Sequence, residues 1–195
     1  IQALAIRTKK SYLHERPSLP VCPIELFLDI EGIPDQDFDY LFGVLVKQGR
    51  KTRMHSFWAD EPADEARILS DFLALAAKYP DVPIYHYGRY ERRAIERIAR
   101  KHGLRWKAVV RRLVNVNGLI FGKVYFPSRS NRLKDLGALL GASWPTPNPS
   151  GIESLVWRYQ WEDSGQSSFK MSLLAYNRAD CEALRLLTEE LQFLS

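Results

Sequence analysis

The run Ile24-Glu25-Leu26-Phe27-Leu28-Asp29-Ile30-Glu31, closed by Gly32 and Pro34, reads as a β-strand that carries two carboxylates within an apolar stretch. Alternate residues of a strand share a face, so Asp29 and Glu31 leave the sheet on the same side. Ionised carboxylates among Leu26, Phe27, Leu28 and Ile30 are costly unless a positive charge lies between them, and a hard divalent cation with oxygen ligands meets that need. The other outcome for such a pair is a strand end at which both side chains reach water.

The text around this strand sets the architecture. Residues 40–46 and 52–58 are strand-like runs separated by the turn-rich Lys47-Gln48-Gly49-Arg50, so the opening reads as an antiparallel meander of three strands. Helical periodicity follows over residues 60–79, with Ala66, Leu69, Phe72, Leu73 and Ala76 on one stripe and Asp60 as the expected cap. Residues 82–87 read as a short buried strand, 90–102 as a basic amphipathic helix ended by Gly103, and 109–116 as a fifth strand. Helices are then expected over 133–140, 152–161 and 169–193, with a Pro-rich loop at Trp144-Pro145-Thr146-Pro147-Asn148-Pro149. This order is a mixed α/β layout: one five-stranded sheet, three strands antiparallel and the rest in parallel βα units, flanked by helices. Residues 1–22, which alternate at Ala3-Leu4-Ala5-Ile6 and then turn basic with Pro17 and Pro20, read as a connector from an upstream module, leaving 23–195 as the domain.

Two further acids stand out. The apolar stripe of the last helix runs Phe169, Leu173, Tyr176, Asp180, Ala183, Leu187, Leu191, so Asp180 interrupts a buried face, and either pairs with a buried cation or ligates metal. Tyr176, one turn earlier, points towards the same region. Glu91 follows Tyr85-His86-Tyr87-Gly88-Arg89-Tyr90 where a strand gives way to a helix, the place where active sites of open α/β sheets gather; an acid in a first helical turn also suits the helix dipole.

Charge narrows the class of partner. The chain of 195 residues has a net charge of +5, concentrated between Arg89 and Arg112, where Arg89, Arg92, Arg93, Arg97, Arg100, Lys101, Arg105, Lys107, Arg111 and Arg112 face only Glu91 and Glu96. That surplus suits a polyanion such as DNA or RNA, or else a solvated helix face balanced by acids elsewhere in the fold. Arg129, Arg132 and Lys134 could also meet phosphates, although Lys134-Asp135 has the look of a surface pair. Trp157 and Trp161 could stack on bases or pack in the core. Two cysteines, Cys22 and Cys181, are too few for a disulfide scaffold, which suggests a reducing cytoplasm, with Cys181 a packed thiol. No apolar run approaches the roughly 18 residues a spanning helix needs, so no membrane association is expected. The start at Ile1, without Met or a signal-peptide shape, suggests a piece of a longer protein. His14, His55 and His102 show no metal-ligand spacing.

Phe27-Leu28-Asp29-Ile30-Glu31-Gly32, Tyr85-His86-Tyr87-Gly88-Arg89-Tyr90-Glu91 and Tyr176-Asn177-Arg178-Ala179-Asp180-Cys181 resemble the three motifs of the DEDD (DnaQ-like) exonuclease superfamily. More closely, residues 23–194 resemble the YprB-type ribonuclease H-like domain, often carried behind a RecB-like nuclease module. The resemblance implies a ribonuclease H-like fold and a metal-dependent 3′–5′ exonuclease acting on DNA or RNA that is single-stranded or has a free 3′ end. It implies Asp29, Glu31, Glu91 and Asp180 as ligands of two ions, with Tyr176 placing the chain in the tyrosine subclass. Glu91 stands where the superfamily usually has Asp, Arg178 and Ala179 stand where relatives are often acidic, and Asn115 stands where such domains often show Asp. All-oxygen ligands favour Mg²⁺ or Mn²⁺ over zinc. Arg89, Arg92, Arg93 and Arg132 are the expected contacts to nucleic acid. The rival reading is a non-catalytic nucleic-acid-binding module of the same fold that assists a partner nuclease; a third is endonucleolytic cutting with the same metals, separated by product length.

Overall fold

A computed structural model describes residues 1–147 and 149–195; Asn148, in the expected Pro-rich loop, lies outside the described residues. In chain order the elements are α1 (Gln2–Thr8), β1 (Tyr12–Leu13), β2 (Ile24–Ile33), β3 (Phe38–Gln48), β4 (Lys51–Trp58), α2 (Glu65–Ala77), β5 (Ile84–His86) and α3 (Tyr90–His102). They continue as α4 (Lys107–Val110), β6 (Leu113–Asn115), α5 (Val116–Ile120), β7 (Val124–Tyr125), α6 (Leu133–Leu139), α7 (Gly151–Ser164) and α8 (Ser167–Leu194). The main sheet has the order β4-β3-β2-β5-β6. β2, β3 and β4 pair antiparallel, whereas β5 pairs parallel with β2 and with β6, so the mixed five-stranded sheet expected from sequence is the one observed.

Both faces of the central strand are covered, which is why its text is nearly continuous in apolar residues. Leu26, Leu28 and Ile30 point to the side packed by α2 and α3, with Phe72, Ile95 and Ile98. Phe27 points the other way, into a second core with Cys181, Leu184, Leu187 and Leu191 of α8. Asp29 and Glu31 follow Phe27 at steps of two, and a bulge between Glu31 and Gly32 then breaks the ladder with β3. The acids therefore emerge on the α8 side at the strand's last regular positions.

Three expectations need correction. The helix expected from residue 60 begins at Glu65, after a 3₁₀ turn over Pro62–Asp64. Asp60 does not cap it: the Asp60 amide donates to Asp64 Oδ2 (3.1 Å), and its carboxylate accepts the Trp58 indole (2.7 Å). The fifth strand is only Leu113–Asn115, because Val109 and Val110 donate their amides to the Trp106 carbonyl and form the turn of α4. The alternating Ala3–Ile6 stretch is helical, with Ala5 buried.

Residues 1–22, read as a connector, lie against the domain. Gln2 Nε2 donates to the carbonyls of Phe126 (2.8 Å) and Ser128 (2.5 Å), and β1 pairs antiparallel with β7. Leu19 joins the core of Phe27 and Tyr85, and the Tyr85 hydroxyl donates to the Pro20 carbonyl at 2.8 Å.

Candidate active site

β2 supplies two carboxylates and α8 a third. Ligand oxygens of Asp29, Glu31 and Asp180 all lie within 4.8 Å of one another, the one such acid cluster found among the described residues. The approach of α8 to β2 depends on a missing side chain. Asp29 is paired across the ladder with Gly43, and a Cβ there would collide with the Asn177 amide. Asn177 uses that space to donate from Nδ2 to Asp29 Oδ2 (2.7 Å) and to the Asp29 carbonyl (3.2 Å). One turn further on, Cys181 Sγ reaches the Gly43 carbonyl at 3.5 Å, which makes it the packed thiol expected.

Asp180 is 3 % exposed and held from two sides. Lys134 Nζ, from the first turn of α6, lies 3.0 Å from each of its oxygens, and the Trp144 indole donates to Oδ1 at 2.9 Å. Lys134 is thus no surface partner of Asp135, which instead accepts from Arg132 at 2.8 Å. Tyr176 is fully buried, packed edge-on against Trp157 (5.9 Å between centroids) and under the Lys134 ammonium (4.6 Å). Its hydroxyl has no hydrogen-bond partner among the described residues.

Glu91 is buried at the start of α3, and its Oε2 lies 3.2 Å from His86 Nδ1 at the end of β5. It stands outside the converging set of three, yet its charge is felt there, raising the pKa of Asp29, Glu31 and Asp180. α3 is seated by a buried network. Arg97 donates to Asp39 (2.6 Å) and Glu65 (2.7 Å), Lys101 reaches Glu65 (3.3 Å), and the Tyr90 hydroxyl donates to Asp39 (2.5 Å).

The electrostatics of the cluster call for a further cation. Burial first, then the neighbouring acids Asp180, Glu31 and Glu91, push Asp29 well above the ordinary carboxylate range. Burial and the Asp180 charge push Glu31 up to about 7. Burial raises Asp180 as well, despite the opposing Lys134 charge and the donors from Lys134 and Trp144. One ammonium facing three convergent carboxylates leaves negative charge uncompensated, and the free lone pairs are all oxygen, the donor set of Mg²⁺ or Mn²⁺. These residues fit such an ion.

The family model RNase_H_2, described as RNase_H superfamily, matches residues 26–192. The chain belongs to the RNase H superfamily. No curated protein and no solved structure matches it. Membership in the RNase H superfamily points to nuclease-type work on nucleic acid, and the three-acid cluster is compatible with the divalent metals such nucleases use. No helix among the described residues is long and apolar enough to cross a membrane.

The remaining expected residues divide. Arg89 and Arg93 are exposed and have no carboxylate partner among the described residues. Arg92 pairs with Glu96 (3.1 Å) and Arg132 with Asp135. Much of the basic window is spent within the fold: Arg97 and Lys101 on buried acids, Arg100 on Glu96, and Arg112 on the carbonyls of Ala76, Tyr79 and Val82. Trp157 and Trp161 pack internally, Trp161 edge-on to Trp58 at 5.1 Å. Sequence reasoning named Lys134 only as a phosphate contact and so missed its pairing with Asp180, and it missed Asn177 and Trp144 altogether. For Asn177 the signal was present, since it lies three residues before Asp180 on the same helix face.

Proposed function

We propose that this RNase H-superfamily domain is a metal-dependent 3′–5′ exonuclease of the tyrosine DEDD subclass, hydrolysing phosphodiester bonds at the ends of DNA or RNA. The observation that carries the catalytic part is the convergence of Asp29, Glu31 and Asp180 within 4.8 Å with a single ammonium beside them. The 3′–5′ polarity and the subclass rest on the motif resemblance, in which Tyr176 stands four residues before Asp180.

Asp29, Glu31 and Asp180 would hold the first Mg²⁺ or Mn²⁺, and Glu91, oriented by His86, would complete the set for a second. Bound there, the metals would lower the pKa of an attacking water and stabilise the leaving 3′ oxygen. Asn177 fixes one Asp29 oxygen and leaves the other free to ligate. Burial raises the Tyr176 phenol above its ordinary pKa, so at neutral pH it is an O–H donor that orients water rather than a base. Arg89 and Arg93, exposed and without a carboxylate partner among the described residues, are the freest of the four arginines to meet the substrate backbone; Arg92 and Arg132 must first leave Glu96 and Asp135. A RecB-like module upstream remains part of the proposal on resemblance alone.

The test is digestion of 5′-labelled single-stranded DNA and RNA in Mg²⁺, Mn²⁺ or EDTA, beside Asp29→Asn and Asp180→Asn. A metal-dependent ladder shortening from the 3′ end, absent in both variants, is expected. Internal cuts would transfer the site to an endonuclease. Intact substrate with retained binding, unchanged by either substitution, would replace catalysis with the binding-module reading.

A further inference from the structure

The cation in this site is placed to do more than balance charge. Lys134 projects from α6 between the acid cluster and an open groove of about 890 Å³, lined by Lys134, Trp144, Ala138, Thr146 and the start of α7. Its side chain is 27 % exposed, whereas the Asp180 side chain it holds is 4 % exposed, so the lysine side chain spans the border between the acid cluster and the groove. Among the described residues no other cation pairs with Asp29, Glu31 or Asp180. The anchoring is asymmetric. Asp180 keeps a second donor in Trp144, so it stays oriented if Lys134 leaves, while among the described residues the Lys134 ammonium forms an ion pair with Asp180 alone. Asp180 Oδ1 already receives two donors and Oδ2 only Lys134, which makes Oδ2 the oxygen a metal would contest.

We propose that Lys134 is a resident counter-ion that occupies Asp180 in the metal-free protein, yields that carboxylate to a divalent cation, and turns its ammonium into the groove to bind a phosphate of the nucleic-acid strand. The inference rests on the metal site of the proposed function and assigns a residue to it. A lysine suits the part: its charge is a compact point with three rotatable donors on a flexible four-carbon stem. Two like charges at one carboxylate repel, so each lowers the other's occupancy there, and substrate phosphate relieves that repulsion by holding the ammonium elsewhere. Metal and nucleic acid should therefore bind with positive coupling through Lys134.

The experiment measures Mn²⁺ binding by calorimetry and by the loss of the free-ion electron paramagnetic signal, without and with a single-stranded oligonucleotide, for the wild type, Lys134→Gln and Lys134→Arg. Thermal melts confirm that each variant is folded. Without nucleic acid, Lys134→Gln should bind Mn²⁺ about tenfold tighter than wild type, the direction expected when a neighbouring positive charge is removed. It should also bind the oligonucleotide more weakly, with a salt slope shallower by about 0.7, the equivalent of one single-strand phosphate contact. Lys134→Arg, which keeps the charge but not the compact ammonium, should stay nearer to wild type than Lys134→Gln in both measurements. Equal or weaker Mn²⁺ binding by Lys134→Gln would overturn the role of Lys134 while leaving the metal site in place, and an unchanged salt slope would overturn the phosphate contact. Absence of Mn²⁺ binding in both wild type and Lys134→Gln would remove the metal site itself, and the proposed function with it.

Discussion

At the scale of single residues, the site sets two conflicting demands on its side chains, and each yields a prediction. Glu31 titrates near 7 instead of near its ordinary 4.5, because burial and Asp180 disfavour its charge. A folded chain then holds a proton that the unfolded chain has released between those two values, so stability of the metal-free protein falls as pH rises across that window. Thermal midpoints in EDTA should drop from about pH 5 to about pH 8, Mg²⁺ should restore the loss at the upper end, and Glu31→Gln should make the drop shallower without abolishing it, since Asp29 and Asp180 are raised as well. Tyr176 offers the opposite case, a buried hydroxyl without a hydrogen-bond partner among the described residues. Removing an unsatisfied polar atom costs little, so Tyr176→Phe should stay within about 1 kcal/mol of wild-type stability in chemical denaturation. If the phenol orients water, the same variant should lose about 10²-fold in turnover.

At the scale of elements, the site exists because three of them are held at fixed distances. β3 and α8 approach closely at Gly43, where Asn177 takes the space of a side chain to reach Asp29. Gly43→Ala should push Asn177 away and weaken Mn²⁺ binding by more than an order of magnitude; a circular dichroism spectrum close to wild type would show that the sheet survives. α3, which carries Glu91, is seated by Arg97 between Asp39 and Glu65, the latter fully buried. Arg97→Met would leave the buried Asp39 and Glu65 carboxylates to Tyr90 and Lys101 alone and should cost about 1.5–3 kcal/mol by urea titration, more than the loss of a surface pair such as Arg67–Asp64. α7 is fastened by Arg158, fully buried, which donates to the Ala59 and Asp60 carbonyls (2.9 and 2.6 Å) and lies 4.6 to 5.2 Å from the rings of Trp161, Tyr40, Trp58 and Phe38. In sequence that arginine looks like any other helix-surface cation, since nothing local reveals that its helix faces Phe38, Tyr40 and Trp58, three of the four rings around it, from far earlier in the chain.

At the scale of the whole molecule, the two cores on either side of the sheet meet at β2, and the segment before it closes one of them. Leu19 is buried against Phe27 and Tyr85, Pro20 accepts from both Tyr85 and Gln192, and Gln2 ties α1 to the stretch after β7. A chain beginning at Pro23 should melt about 5–10 °C lower than the 195-residue chain, as expected for the loss of about 2–3 kcal/mol of burial and hydrogen bonding in a domain of this size. An unchanged midpoint would show that residues 1–22 are a connector in energy as well as in composition.

The division between what was legible and what was not follows from range. Strand and helix periods are properties of the backbone, so the sequence by itself determined that Asp29 and Glu31 share a face, that Tyr176 and Asp180 share a stripe, and that a three-strand meander precedes βα units. It left the start of α2 and the extent of β6 to local competition, in which Pro62 and the Trp106 carbonyl prevailed. Only the tertiary structure decided that Asn177 bonds Asp29 across 148 residues, that Lys134 holds Asp180 across 46, and that Glu91 turns to His86 beside the three convergent acids. Those choices depend on which ends of which elements the strand order brings together, and a buried charge takes its partner from whatever the packed neighbours present, a property that no window along the chain contains.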